Sequence, residues 1–310
     1  MSRRMESGDL KDGDSARMPG PSAAGKARLK AKRAEPVSLL ARWTVARGFQ
    51  AITASCITHF RLNQSLILEA KDAEALHQAR VALRRLRSAF ALFRPAIADQ
   101  KSRLIEEELR WLLAEFGDAR NLDVYLKRDL SSGQRQFAGE RRSDAYERVG
   151  RAITSSRSRR LFFEMLAWLS NGDWHRNLEA GKRLDHFLGK RIDKFWKKVS
   201  KAGPVGRMDD ERRHRLRAGI KKLRYALEFA APLNIAANRR GKKFTRGVKD
   251  AQQSLGNVHD IVTAASIMAL NGLLRTKQPS PRRERRMVRD ADGAIGKLRQ
   301  IGPYWRGALS

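Results

Sequence analysis

The chain has 310 residues, with 65 Lys and Arg against 33 Asp and Glu, for a formal net charge of +32. Hydrophobic residues make up 41% of it, enough to bury a core and too many for a disordered basic protein. A single cysteine, Cys56, excludes an intramolecular disulfide and a cysteine-rich zinc site, and no run of about 18 apolar residues exists to span a membrane.

Residues 1–35 hold nine Lys/Arg and five Asp/Glu, a net of +4, so +28 belongs to the remainder of the chain. That opening stretch is rich in Gly, Ser, Pro and charge without an apolar period, and it reads as a disordered tail. MSRRMESGDLKDGDS leads into no apolar segment, so a cytoplasmic rather than secreted protein is expected. Positive charge built into a fold must be held against its own repulsion, and it points to a polyanionic partner.

From Pro36 onward the apolar spacing is helical almost throughout, and no turn-bounded alternating segments suggest hairpins. The pattern predicts helices near 37–68, 72–94, 99–130, 139–170, 178–201, 209–231, 238–274 and 282–300. Breaks are expected at Pro95, at 131–134, at 170–173, at 201–206 and at 278–281, with kinks at Gly117 and Gly256. An all-α protein of two four-helix units follows.

The chain also contains a repeat. Residues 77–87 read HQARVALRRLR and residues 214–224 read HRLRAGIKKLR. His77 aligns with His214, Arg80 with Arg217, Arg84 with Lys221, Arg85 with Lys222 and Arg87 with Arg224. Some 40 residues on, FGDARNLD (116–123) and LGNVHDIV (255–262) align Arg120 with His259. At 100° per residue, His77, Arg80, Arg84 and Arg87 fall within an arc of about 80°, facing away from Leu83, Leu86, Phe90 and Phe93. His214, Arg217, Lys221 and Arg224 oppose Leu216, Ile220, Leu223 and Leu227 in the same way. Arg85 and Lys222 are placed on the shoulders of these stripes.

A solvated basic face normally alternates with acids at i,i+4. No Asp or Glu lies between His77 and Arg94, or between Arg212 and Leu227. Like charges stacked at i,i+4 cost roughly 0.2–0.5 kcal/mol per pair. Two helices carrying that cost imply a missing anion. Arg120 and His259, after the two glycines, are candidates to reach the same site, and Asp118, Asp123 and Asp260 to orient its cations.

HQARVALRRLR, HRLRAGIKKLRYALEF and the LGNVHD-type segments resemble the CHAD domain, the conserved histidine α-helical domain, over roughly residues 37–305. The resemblance implies a CHAD domain at 36–305, with a first repeat about 37–170 and a second about 178–300. It further implies two four-helix bundles related by pseudo-twofold symmetry, around a basic central groove or pore. In such domains the groove binds inorganic polyphosphate and the protein goes to polyphosphate granules. Carried over to this chain, the expected polyphosphate ligands are His77, Arg80, Arg84, Arg85, Arg87, His214, Arg217, Lys221, Lys222 and Arg224. No tunnel of alternating acidic and basic strands precedes the domain, so a stand-alone form is expected.

Three other readings compete. His259-Asp260 is an HD dipeptide, but the histidines heading the stripes sit among arginines, which disfavours a metal site. With no candidate nucleophile or paired carboxylates in the stripes, neither catalysis nor a cofactor is expected. A nonspecific RNA- or DNA-binding helical protein is the main alternative, and the charge predicts such binding at low salt. Only 7% of residues are aromatic, however, and Phe90, Phe93, Tyr225 and Phe229 fall on packing faces, leaving little base-stacking surface. A scaffold that recruits proteins through its basic tail or RRERRMVRD is the third.

Overall fold

A computed structural model of the chain describes residues 30–233, 238–270 and 280–305, with the backbone alone for 259–270. Among the described residues twelve α-helices follow in order: α1 Val45–Arg61, α2 Gln64–Ala70, α3 Ala73–Ile97, α4 Gln100–Glu115, α5 Gly117–Tyr125, α6 Ser132–Thr154, α7 Ser156–Asn171, α8 Leu178–Gly181, α9 Leu184–Ser200, α10 Asp210–Ala230, α11 Arg239–Leu270 and α12 Pro281–Ile301. Among the described residues there is no strand beyond one isolated bridge, between Thr44 and Arg183. The fold is all-α, as the periodicity predicts. No described helix is long and apolar enough to cross a membrane.

Local chemistry divides the long predicted helices into shorter ones. Helix formation starts at Val45 rather than near residue 37, because the Thr44 hydroxyl accepts the Arg47 N–H at 3.2 Å. The first helix then ends at Arg61, two residues before Asn63, a fully buried amide. Its Nδ2 donates to the carbonyls of Lys32 and His59, and its Oδ1 accepts the Lys32 N–H at 3.0 Å. That contact also corrects the expected tail. Residues 1–29 lie outside the described residues, but Lys32 is clamped onto α1 by Asn63 and by His59.

Ser155 ends α6 and caps α7 with its hydroxyl, splitting the helix predicted over 139–170. The break expected at SSGQ (131–134) falls a few residues earlier, between Tyr125 and Ser132, and SSGQ itself starts α6, because Ser131 and Gln134 form a reciprocal capping box. The kink expected at Gly117 is a one-residue interruption at Phe116, whose backbone stays right-handed helical, whereas α11 runs on through Gly256. Pro95 does not stop α3, which continues to Ile97. Proline has no N–H for the Ala91 carbonyl, and Arg191 of α9 supplies the donor instead, Nη2 to Ala91 O at 3.0 Å and Nε to Leu92 O at 2.7 Å. Residues 271–274 of the seventh predicted helix and Pro279 of the expected break at 278–281 lie outside the described residues.

The helices pack in two groups. In the first, Phe49 of α1 is ringed by Phe90 and Phe93 of α3, Trp168 of α7 and Trp174, with centroids 5.3–6.0 Å away. In the second, Phe244 of α11 meets Trp196 of α9, Tyr304 and Trp305 at 5.1–5.5 Å. Two seams join the groups. At one, Val45 N donates to Lys182 O and Leu184 N to Trp43 O, setting the starts of α1 and α9 side by side. Gly48 permits this approach, since a Cβ there would lie 2.6 Å from the Leu184 methyls. The other seam is the contact of α3 with α10.

Candidate anion-binding site

Helix α3 begins at Asp72, whose carboxylate accepts the Ala75 N–H at 2.7 Å. Its apolar face, Leu83, Leu86, Phe90 and Phe93, is buried as the spacing predicts. The opposite face leaves His77, Arg80 and Arg84 half-buried and Arg87 exposed. Arg80 is the most constrained of them. Its Nη1 donates to the Leu113 carbonyl at 3.1 Å, and burial together with Arg84 and Arg120 pushes its pKa down to about 10. Burial lowers His77 too, aided by Arg120, Arg84 and Lys127 and opposed by Glu74. Arg87, though exposed overall, is lowered by partial desolvation, Arg110 and Arg84, with Glu106 opposing.

These mutual effects place Arg120 of α5 beside His77 and Arg80. They also bring in two cations that sequence reasoning missed, Arg110 of α4 and Lys127 just after α5. Nothing local in the sequence separates those two from other surface cations, because only the tertiary packing carries them to α3.

On α10, the Asp209 carboxylate accepts the Arg212 N–H at 2.7 Å and starts the helix. His214 is exposed, and Arg217, Lys221 and Arg224 are half-buried. His214 and Arg217 line a cavity of about 330 Å³ together with Arg213, Leu255 and Val258, rimmed by Asp210 and Glu211. Arg224 is held firmly, with Nε donating to Gln252 Oε1 at 2.7 Å, Nη1 to Glu228 Oε2 at 3.2 Å, and its guanidinium 3.9 Å from the Tyr225 ring centre. The His259 and Asp260 side chains lie outside the described residues.

Two expected ligands sit elsewhere. Arg85 is not on the shoulder of its stripe but buried, at 3% exposure, with Nε 2.8 Å from Glu228 Oε1 and its guanidinium 5.6 Å from the Phe229 ring centre. The reason is geometric: it stands 100° round the helix from Arg84, which turns it into the seam with α10. The Arg85–Glu228 contact is ionic without hydrogen-bond alignment, and Arg85 Nη1 has no hydrogen-bond partner among the described residues.

Lys222, its counterpart in the repeat, is exposed overall, and partial desolvation of its ammonium together with Lys198, Arg94 and Arg191 lowers its pKa, with Glu106 opposing. It therefore adjoins the C-terminal end of α3 rather than the row on its own helix. With Arg85 opposite Glu228 and Arg94 near Lys222, α3 and α10 run antiparallel.

The carboxylates expected to orient the site's cations face α6. Asp118 pairs with Arg148 at 3.3 Å, and buried Asp123 accepts from Arg142 Nε at 2.7 Å and from the Tyr146 hydroxyl at 2.9 Å. They hold α5 against α6.

The fold and this face define an all-helical, cation-rich protein whose long third helix carries a row of mutually repelling basic groups. A family model described as CHAD domain matches residues 51–269, and the chain belongs to that family. Among solved structures, it is similar to the CHAD domain from the plant Ricinus communis, at 26% identity and a TM-score of 0.67, covering 90% of this chain and 95% of that one. PptA from Streptomyces chartreusis has a similar fold, at 16% identity and a TM-score of 0.54, covering 86% of this chain and 99% of that one. Among curated proteins no sequence relative matches.

Proposed function

We propose that this protein binds inorganic polyphosphate without altering it chemically, through His77, Arg80, Arg84, Arg87 and Arg120 on one side and His214, Arg217, Lys221 and Arg224 on the other. In this reading the two rows flank a basic groove on either side of the α3–α10 seam, and binding directs the protein to polyphosphate granules. Membership of the CHAD family is compatible with it.

The observation that carries the proposal is Arg80. A half-buried guanidinium pressed by two other arginines is an unfavourable arrangement for the free protein, and a polyphosphate chain reverses its sign. Guanidinium forks suit phosphate oxygens, and the 15 Å length of each row, ten residues at 1.5 Å, suits a linear anion. Phe90, Phe93, Tyr225 and Phe229 are all buried, which leaves these helices without a stacking platform for bases and favours polyphosphate over nucleic acid.

The test is binding of long-chain polyphosphate at about 150 mM salt, with single-stranded RNA of equal charge as competitor. A variant with Arg80→Ala, Arg84→Ala, Arg217→Ala and Lys221→Ala is run beside the wild type, with helicity checked. Tight binding that RNA does not displace and the variant loses is expected. Equal displacement by RNA, or normal binding by the variant, overturns the assignment. Release of orthophosphate from the polymer would overturn the non-enzymatic part alone.

A further inference from the structure

The first turns of α11 repeat the site's spacing on a different surface. Arg239, Lys242, Arg246 and Lys249 stand at offsets 0, 3, 7 and 10, the offsets of His77, Arg80, Arg84 and Arg87 and of His214, Arg217, Lys221 and Arg224. At 100° per residue the four lie within an arc of about 80°, and Lys243 borders it. All of them are exposed, and no described carboxylate pairs with any of them. Asp250 stands on the same face, four residues after Arg246 and about 20° round the helix from Arg239, but it is exposed and no described ion pair joins it to a member of the row.

The row borders a cavity of about 830 Å³, lined by five cations of α11 with Gln300 and Ile301 of α12. One wall is fixed, because Arg240 donates through Nε and Nη2 to the Ile301 carbonyl at 2.9 and 2.7 Å. The apolar positions of this segment, Phe244 and Val248, are fully buried, so the exposed side is cationic without aromatic surface.

The row also lies close to the site on α10. Arg224 holds Gln252 at 2.7 Å, and Gln252 is three residues past Lys249, about 4.5 Å along the helix axis. From that contact the row leads along α11 for about 20 Å to Arg239.

We infer that this face of α11 is a second, outer contact for polyphosphate, engaged only by chains long enough to leave the α3–α10 site and continue along α11. It rests on the proposed function above, and it makes the protein selective for long chains. A row of exposed cations with no stacking surface recognises a backbone of phosphates, which is why polyphosphate is favoured over RNA.

The test uses the full chain with Arg239→Ala, Lys242→Ala, Arg246→Ala and Lys249→Ala, measured against tripolyphosphate, long-chain polyphosphate and single-stranded RNA. The expected result is a loss of about tenfold or more in long-chain affinity, with the slope of log affinity against log salt reduced by about 3, from four contacts at roughly 0.7 each. Tripolyphosphate affinity is unchanged. A control of equal charge loss, Arg103→Ala, Arg151→Ala, Arg160→Ala and Lys190→Ala, should lose much less. Unchanged long-chain affinity, an equal loss in the control, or a loss confined to RNA overturns the inference.

The α3–α10 variant separates the two ideas, since it should weaken short and long chains together. If it does so while the α11 variant binds normally, only the outer contact is wrong. If the wild type binds no polyphosphate, both fall.

Discussion

Arg85 of α3 and Glu228 of α10 meet at 2.8 Å in the seam between the two helix groups, and the same carboxylate reaches Arg224 with its other oxygen at 3.2 Å. One acid thus ties a buried cation to a cation of the proposed binding row. Cys56 and His59 of α1 lie in the same electrostatic neighbourhood. Burial pushes the Cys56 thiol up to about 12, against the pull of Arg85, and keeps His59 below its usual value. The seam is therefore a buried cationic centre balanced, among the described residues, by the partly exposed carboxylate of Glu228.

Removing that carboxylate should cost more than removing the arginine. Breaking a fully enclosed ion pair costs about 3–5 kcal/mol, and the 36% exposure of the Glu228 side chain brings the expected cost of Glu228→Gln to about 2–3 kcal/mol. Arg85→Met keeps the volume and leaves Glu228 with Arg224 and solvent, so it should cost less than about 1 kcal/mol. Urea unfolding of both variants checks the order. Equal costs would show that Arg85 contributes by packing rather than by charge. Glu228→Gln should also tighten polyphosphate binding, because Arg224 loses an acidic competitor.

Salt should act on stability and binding in opposite directions. Repulsion around Arg80 weakens as salt rises from about 0.05 to 0.5 M, so the Tm of the free protein should rise. Affinity for polyphosphate should fall steeply over the same range, by analogy with counterion release. Saturating polyphosphate should raise Tm by mass action. Arg80→Met should show a smaller salt response in Tm together with weaker binding. Thermal scans across the salt series measure both, and an unchanged salt response in the variant would remove Arg80 from the centre of the repulsion.

The pH dependence follows from His77. Its pKa is lowered in the fold by burial, by Arg120 and Arg84 and by Lys127, against Glu74, so folding favours the neutral ring. For a base depressed in this way, its contribution to stability is intact above the unfolded value of about 6.5 and is lost as pH falls below it. His59, also lowered, adds to the same loss. Binding runs the other way, because phosphate favours the imidazolium. Affinity should rise by about threefold to tenfold from pH 7.5 to 5.5. His77→Gln should flatten that rise while the acid loss of stability from His59 persists. A variant with the wild-type pH profile of binding would assign the effect to another group.

The all-α class and the apolar faces of α3 and α10 were legible because a helix writes its buried face into the sequence every three or four residues. The same arithmetic placed His77, Arg80, Arg84 and Arg87 on one side, where the structure has them. It could not place Arg85. A position 100° from Arg84 is a shoulder when the helix is considered alone and a core position once α10 packs there. The partner that makes burial tolerable, Glu228, lies in another helix far along the chain. Arg110 and Lys127 were unreadable for the same reason. The division at Asn63 depends on Lys32 returning to cap it, a pairing between segments that carry no shared pattern.

Pro95 and Arg191 form the last testable relation, and it bears on how α3 holds its row. The proline leaves the Ala91 carbonyl without its helical donor, and Arg191 fills the place from α9 while also bonding Leu92 O. Each hydrogen bond from a charged donor contributes roughly 1.5–3 kcal/mol. Partial exposure and water at the vacated carbonyls reduce this, so Arg191→Ala should cost about 2 kcal/mol in all. Pro95→Ala restores an N–H for Ala91, so the arginine is then worth less. In a double-mutant cycle the cost of Arg191→Ala should fall by about 1 kcal/mol when Pro95 is already alanine. Strict additivity, read from urea unfolding of the four proteins, would mean that the guanidinium acts only as a bridge between α9 and α3. A positive coupling means that the second helix group completes the C-terminal turn of α3, and with it the rigidity of the row from His77 to Arg87.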